Sequence, residues 1–226
     1  MLLNSESQIP DTFYIFVNRY NPITVHNLRL TRQFTSAGIS NCEIDKGFLE
    51  KYMQGTVNYL PYEPCNRKLG VVSPYCVTAI SDYSVEYDAE YYRSEYYPSF
   101  PSRLSAIYAF GDYESCQLVH QKYHWDLNTV RKFKLINTPP LTRVVKVNME
   151  IVSLSRLAYK ISSLDHETRE FIWRNYWSGS GNITSELPGV NFKREVYSSG
   201  EIYEYLIEGI VELGALEQVD ALPSCI

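Results

Sequence analysis

The two outer stretches of this chain restrict its fold more than anything between them. Thr12-Phe-Tyr-Ile-Phe-Val-Asn18 is a compact apolar and aromatic run that stops before Asn21-Pro22, as a buried strand ended by a turn does. Far downstream, Glu201-Ile-Tyr-Glu-Tyr-Leu-Ile-Glu-Gly-Ile-Val-Glu212 reads as one long strand. One of its faces carries Tyr203, Tyr205, Ile207 and Val211, a good core face, and the other carries Ile202, Glu204, Leu206, Glu208, Ile210 and Glu212. Strands at both ends with helices between them predict an α+β fold and not alternating βαβ units.

The middle fills in that outline. Ile44, Phe48, Leu49, Tyr52 and Met53 recur at helical spacing, so residues 44 to 60 predict a short helix, and the prolines from Pro61 onward predict a long loop to Val77. Val85 to Tyr97 reads as a helix closed by Pro98 and Pro101. Leu104 to Phe110 reads as a strand, followed by a helix from Glu114 to Tyr123 with Asp112 near its cap. Residues 130–136 and 142–149 alternate with period two and are separated by Thr138-Pro-Pro140, which predicts two further strands. Asp165 is an N-cap candidate for a helix through Trp177, and Arg194-Glu-Val-Tyr197 is strand-like. No repeat, low-complexity tract or linker interrupts the chain, which predicts a single domain over residues 1–226. With 45% hydrophobic and 21% charged residues that domain can build a proper core.

Charge and cysteines narrow the setting. A net charge of −5 argues against a general basic surface for nucleic acid, although it leaves room for a local basic cleft. The five cysteines form no C-x-x-C pair, and no stretch approaches the apolar length of a membrane helix, so the expectation is a cytoplasmic protein with no membrane contact. Twenty tyrosines include Tyr87, Tyr91, Tyr92, Tyr96 and Tyr97 in one acidic stretch, which reads either as a packing face or as a partner surface. No G-x-x-x-x-G-K-S/T, G-x-G-x-x-G or G-x-S-x-G motif is present, so P-loop, Rossmann and α/β-hydrolase readings lose their support. His120 and His124 stand one helical turn apart without an evident third ligand, and no metal is expected.

Three pieces remain, in this order: Phe13-Tyr-Ile-Phe-Val-Asn-Arg19 followed by His26-Asn-Leu28; Pro101-Ser-Arg-Leu-Ser-Ala-Ile-Tyr108-Ala-Phe-Gly-Asp112 leading into a helix; and Ile202-Tyr-Glu204-Tyr-Leu-Ile in the late strand. Together they resemble the ADP-ribosyltransferase superfamily, most nearly a bacterial and phage branch with a Pro-Ser-Arg-Leu-Ser segment, a Tyr-Trp pair (here Tyr176-Trp177) and a late glutamate strand. The DNA-targeting ADP-ribosyltransferase toxins are more distantly similar.

That resemblance implies a split β-sandwich enclosing NAD as substrate, with transfer of ADP-ribose to a macromolecular acceptor, nucleic acid or protein. It implies a setting of toxins or phage defence and an antitoxin or immunity partner. Glu204 would be catalytic, because cleavage at the nicotinamide ribose builds positive charge that a fixed carboxylate stabilises. Tyr108 would stack on the nicotinamide. Ser102, Arg103 and Ser105 would bind ribose or pyrophosphate, for which the arginine fork is suited. Tyr14, Asn18 and Arg19 would complete the cofactor site from the first strand. The position after Tyr14 is Ile15, where the family usually has His or Arg, so Asn18 or Arg19 would substitute. Ile202 stands where an arginine-modifying enzyme would carry a second Glu or Gln, which shifts weight towards a nucleic-acid or other acceptor. Two other readings stay open: the same site as an NAD glycohydrolase, or a non-enzymatic binding module that keeps the fold. Glu204 as a solvent-facing strand residue beside Glu208 and Glu212 needs no chemistry at all.

Overall fold

The computed structural model of the chain describes residues 9–18, 22–44, 46–59, 83–161, 164–188 and 194–215. The elements run β1 (Thr12–Phe16), α1 (Pro22–Thr31), β2 (Gln33–Thr35), α2 (Ala37–Ile44), α3 (Lys46–Gln54), α4 (Tyr83–Tyr96), β3 (Ile107–Ala109) and α5 (Tyr113–Tyr123). They continue with β4 (Val130–Ile136), β5 (Arg143–Asn148), α6 (Met149–Ile161), α7 (His166–Trp177), β6 (Thr184–Pro188), β7 (Arg194–Ser198), β8 (Tyr203–Glu208) and β9 (Ile210–Leu213). Helices and antiparallel sheets segregate, so the fold is α+β.

Four strands form one sheet in the order β1-β4-β9-β2, and three form a second in the order β3-β8-β5. The sheets lie against each other through strand alternation. Phe13 and Ile15 of β1, Phe133 of β4 and Val211 of β9 meet Ala109 of β3 and Tyr205 and Ile207 of β8 in one apolar cluster. The opposite face of the second sheet, carrying Leu206, Val145 and Val147, is covered by α4, α6 and α7 through Ala89, Ile151, Ala158, Trp173 and Trp177. Strand β8 is therefore buried on both faces. β1 and β3 also meet edge to edge, where Tyr14 and Phe110 exchange backbone bonds of 2.7 and 2.8 Å.

The late strand departs from its expected continuity. It breaks at Gly209, where the chain leaves the second sheet as β8 and enters the first as β9. Ser36 holds the crossing: its N–H donates to the Gly209 carbonyl at 3.0 Å, and its hydroxyl accepts the Gly209 N–H at 3.1 Å. Of the two readings left open for Glu204, the solvent-facing one does not hold: its strand face turns Glu204 and Glu208 under the helices, at 6% and 1% exposure.

The predicted helix over 44–60 is two helices, α2 and α3. The second ends in a Schellman arrangement, with Gly55 at φ +68° donating to Tyr52 O and Thr56 N–H donating to Lys51 O. Asp112 caps α5, accepting from Ser115 N–H at 2.6 Å, and Asp165 caps α7, accepting from Thr168 N–H at 2.8 Å. Only Ile107–Ala109 of the predicted strand over 104–110 is extended, because the preceding residues turn back on Ser102, whose carbonyl accepts from Ser105 and Ala106 N–H. The predicted loop over 61–77 lies outside the described residues. Among the described residues no helix is long and apolar enough to cross a membrane.

Candidate functional site

All six residues from Pro101 to Ala106 are buried, and this turn between α4 and β3 is the hub of a polar network under the second sheet. Arg103, 3% exposed, grips Glu86 of α4 with two donors, Nε to Oε2 at 2.9 Å and Nη2 to Oε1 at 3.3 Å. Its remaining arm, Nη1, donates to Glu204 Oε1 at 3.2 Å and to the Tyr176 hydroxyl of α7. The guanidinium lies 5.3 Å from the ring centres of both Tyr108 and Tyr176. Arg156 of α6 approaches Glu86 at 3.6 Å, so two carboxylates face two guanidiniums. Burial pushes the Glu204 carboxyl above the usual carboxylate range against the opposing pull of Arg103, and burial holds the Tyr176 phenol well above its ordinary value.

A second half of the network radiates from the serines of the same turn. Ser102 Oγ donates to Glu90 Oε2 at 2.7 Å, and Glu90 takes Arg93 in a fork of 2.9 and 2.8 Å. Ser102 N–H donates to Glu208 Oε1 at 3.3 Å, and Ser105 Oγ donates to the same oxygen. Arg143 stands 3.9 Å from Glu208 Oε2 and stacks on the Tyr52 ring at 3.9 Å. Around this carboxylate, burial first and the Glu208 charge second push the Cys42 thiol up to about 11 and raise the Tyr52 and Tyr59 phenols.

Five predicted site residues, Ser102, Arg103, Ser105, Tyr108 and Glu204, thus come together. Tyr108 serves the network in its own way, its hydroxyl donating to the Arg103 carbonyl at 2.8 Å and its ring facing the guanidinium. Tyr14 and Asn18 are not brought in. Alternation along β1 turns Phe13 and Ile15 into the sandwich and Tyr14 to the other side, where its ring meets Tyr113 at 6.0 Å. Asn18 is exposed beyond the end of the strand, and Arg19 lies outside the described residues. His120 and His124 are not joined in a metal site: His120 Nδ1 bonds the Trp125 carbonyl at 2.6 Å, while His124 takes the left-handed C-cap of α5. No group of three or more potential metal ligands occurs among the described residues.

Sequence reading missed Glu86, Glu90, Arg93, Arg143 and Arg156. A signal existed. Glu86 and Glu90 are one helical turn apart and interleave with Val85, Ala89 and Tyr92, so the charges sit beside the apolar stripe rather than opposite it. Glu204 and Glu208 likewise fall on one strand face with Leu206 between them.

A family model described as "Protein of unknown function (DUF2441)" matches residues 11–205. The chain belongs to the DUF2441 family. The match takes in β1, the Pro101–Ala106 turn and Glu204 of the DUF2441 chain and stops three residues short of Glu208. No curated protein matches the chain.

Proposed function

We propose that this DUF2441 chain is an NAD-dependent mono-ADP-ribosyltransferase on a split β-sandwich of that superfamily's type, acting in the cytoplasm on a nucleic-acid or protein acceptor. The observation that carries the proposal is the adjacency of the three ordered segments. β3 pairs with β8, with Tyr108 opposite Leu206, and the residue after β3, Phe110, bridges to Tyr14 of β1. The Ser102–Ser105 turn reaches both carboxylates of β8. The second and third segments, 101 residues apart at Arg103 and Glu204, thus form one constellation, and the first adjoins it through the Tyr14–Phe110 bridge.

The residue types fit the substrate: an arginine fork for a diphosphate, serine hydroxyls for ribose, and a tyrosine ring beside a carboxylate. Arg103 is at present committed to Glu86 and Glu204, so binding a diphosphate has to draw one arm of the fork from Glu204. Glu204 would then be free to stabilise positive charge developing on the ribose and to accept the proton of the attacking acceptor. An activity of this kind suits a toxin or phage-defence effector held in check by an antitoxin.

The test is titration of NAD into the protein and its Glu204→Gln variant, following binding and nicotinamide release with and without nucleic acid and protein. Turnover in the wild type that falls at least about a hundredfold in the variant supports the reading, a loss in the range expected for removing a key electrostatic group. Release without any acceptor makes the site an NAD glycohydrolase. Absence of NAD binding refutes both.

One observation favours a second reading, a non-enzymatic binding module. Glu204 is 6% exposed and already bonded to Arg103 and Tyr176, an arrangement that is complete as a structural ion pair.

A further inference from the structure

Beside the Glu90–Arg93 end of the carboxylate network, the stretch after α3 and the helix α4 form a groove of about 420 Å³. One wall is Gln54 to Asn58 and the other is Tyr87, Tyr91, Ser94 and Pro98. The walls are fixed to each other. Arg93, 2% exposed, donates from Nη1 to Pro98 O at 3.2 Å and from Nη2 to Val57 O at 3.5 Å, and the Glu90 fork holds it in place. Gly55 comes so close to the other wall that a Cβ there would lie 2.7 Å from Pro98 O. The backbone of the two walls is therefore held at a fixed spacing by buried Arg93, while the lining side chains, apart from Val57, reach the surface.

Its lining selects the ligand. Among the described residues none that lines the groove is charged, so those residues give neither a phosphate nor an ammonium group an anchor. What it offers is two tyrosine rings, with Tyr91 45% exposed, and uncharged polar side chains, of which Gln54 Nε2 already donates to Glu50 Oε1 at 3.4 Å, Thr56 Oγ1 to Lys51 O at 3.3 Å and Ser94 Oγ to Tyr91 O at 2.8 Å, each keeping lone pairs for a further bond. Flat aromatic surface with amide and hydroxyl groups at the rim suits a neutral planar heterocycle that stacks on a ring and shares donors and acceptors along its edge. The volume is within the range of small-molecule sites and exceeds that of a single ring system. We propose that this groove binds the base of a small nucleoside-type ligand, stacked on Tyr91, with the Gln54 amide oxygen at the base edge. A single-stranded nucleic acid is disfavoured, because its affinity rests on phosphate neutralisation and the described lining carries no cation.

The inference does not rest on NAD turnover and is tested without it. Adenosine, guanosine, cytidine and uridine are titrated against the full chain by saturation-transfer NMR and calorimetry, up to about 10 mM to reach weak binding. Tyr91→Ala, Tyr91→Phe and Gln54→Ala variants and a short oligonucleotide follow. Tyr91 and Gln54 are exposed, so these variants retain the fold, which circular dichroism verifies. The expected result is binding of at least one nucleoside, weakened roughly tenfold or more by Tyr91→Ala, as loss of a base-stacking ring entails, and kept by Tyr91→Phe. Gln54→Ala is expected to change the preference among bases. Three results overturn the proposal: no nucleoside binds, Tyr91→Ala leaves binding intact, or only the oligonucleotide binds.

Discussion

Arg103 touches more of the candidate site than any other single side chain described, joining α4, α7 and β8 through Glu86, Tyr176 and Glu204. Ion pairs this deeply buried add little net stability when whole, yet breaking one leaves an uncompensated charge. Arg103→Met is therefore expected to destabilise the fold by about 3–5 kcal/mol at neutral pH, measured by urea unfolding. Adding Glu204→Gln should recover part of that loss. The pH dependence has a definite sign. The folded-state pKa of Glu204 is raised, chiefly by burial, so in the window above its unfolded value of 4.5 the folded form holds a proton that the unfolded form has lost. Stability from this group is present below that window and falls as pH rises through it. Without Arg103 the carboxyl rises further, so the deficit of Arg103→Met relative to wild type should shrink as pH is lowered from 7 towards 4.5. An undiminished deficit at low pH would mean that lost packing of the arginine stem dominates.

At the scale of elements, the join between β8 and β9 decides how the two sheets are tied together. Ser36 Oγ accepts from Gly209 N–H at 3.1 Å and from Ile39 N–H at 3.4 Å, so one buried hydroxyl serves both the strand crossing and the first turn of α2. Ser36→Ala is expected to cost about 1–3 kcal/mol, the penalty of leaving a buried donor unmatched, and to speed amide exchange at Gly209 selectively. Uniform acceleration across the fold would speak against the local role. Elements with a local signature were legible from sequence: β1 by its apolar run, α5 and α7 by their aspartate caps, and β4 and β5 by alternation. Those needing non-local information were not. The late strand reads as continuous because only its partner sheets distinguish the two sides of Gly209. Helix α6 follows β5 without punctuation, its sole cue being Asn148, which accepts Glu150 N–H at 3.1 Å. Helix α1 hides behind Pro22, read as the end of a turn although proline is equally at home in a first helical turn. For the site, residue type and order identified the Ser102–Ser105 turn and Glu204. Their burial under α4 and α6 could not be read, because nothing local shows that a glutamate on a strand faces a helix with a matching arginine.

For the whole molecule, the second sheet is the shared wall of two cores. Leu206 belongs to the core under the helices, while Tyr205 and Ile207, its neighbours on β8, belong to the core between the sheets. Loosening either layer exposes one face of the same central strand, and the carboxylates of β8 add charges that tolerate water-free surroundings only while α4 and the Pro101–Ala106 turn hold their partners in place. The two cores are therefore expected to unfold as one cooperative unit. The tryptophans provide separate probes of this. Trp173 and Trp177 are fully buried in the helical layer, while Trp125 is 44% exposed with its ring 5.2 Å from Phe16 of β1. Variants keeping only Trp125, or only Trp173 and Trp177, should give coincident urea midpoints by fluorescence, equal to the midpoint from far-ultraviolet circular dichroism of the same variant. An earlier transition at Trp173 and Trp177 would show that the helices can leave the second sheet while the sandwich stands, and would supply the opening through which a ligand could reach Glu204.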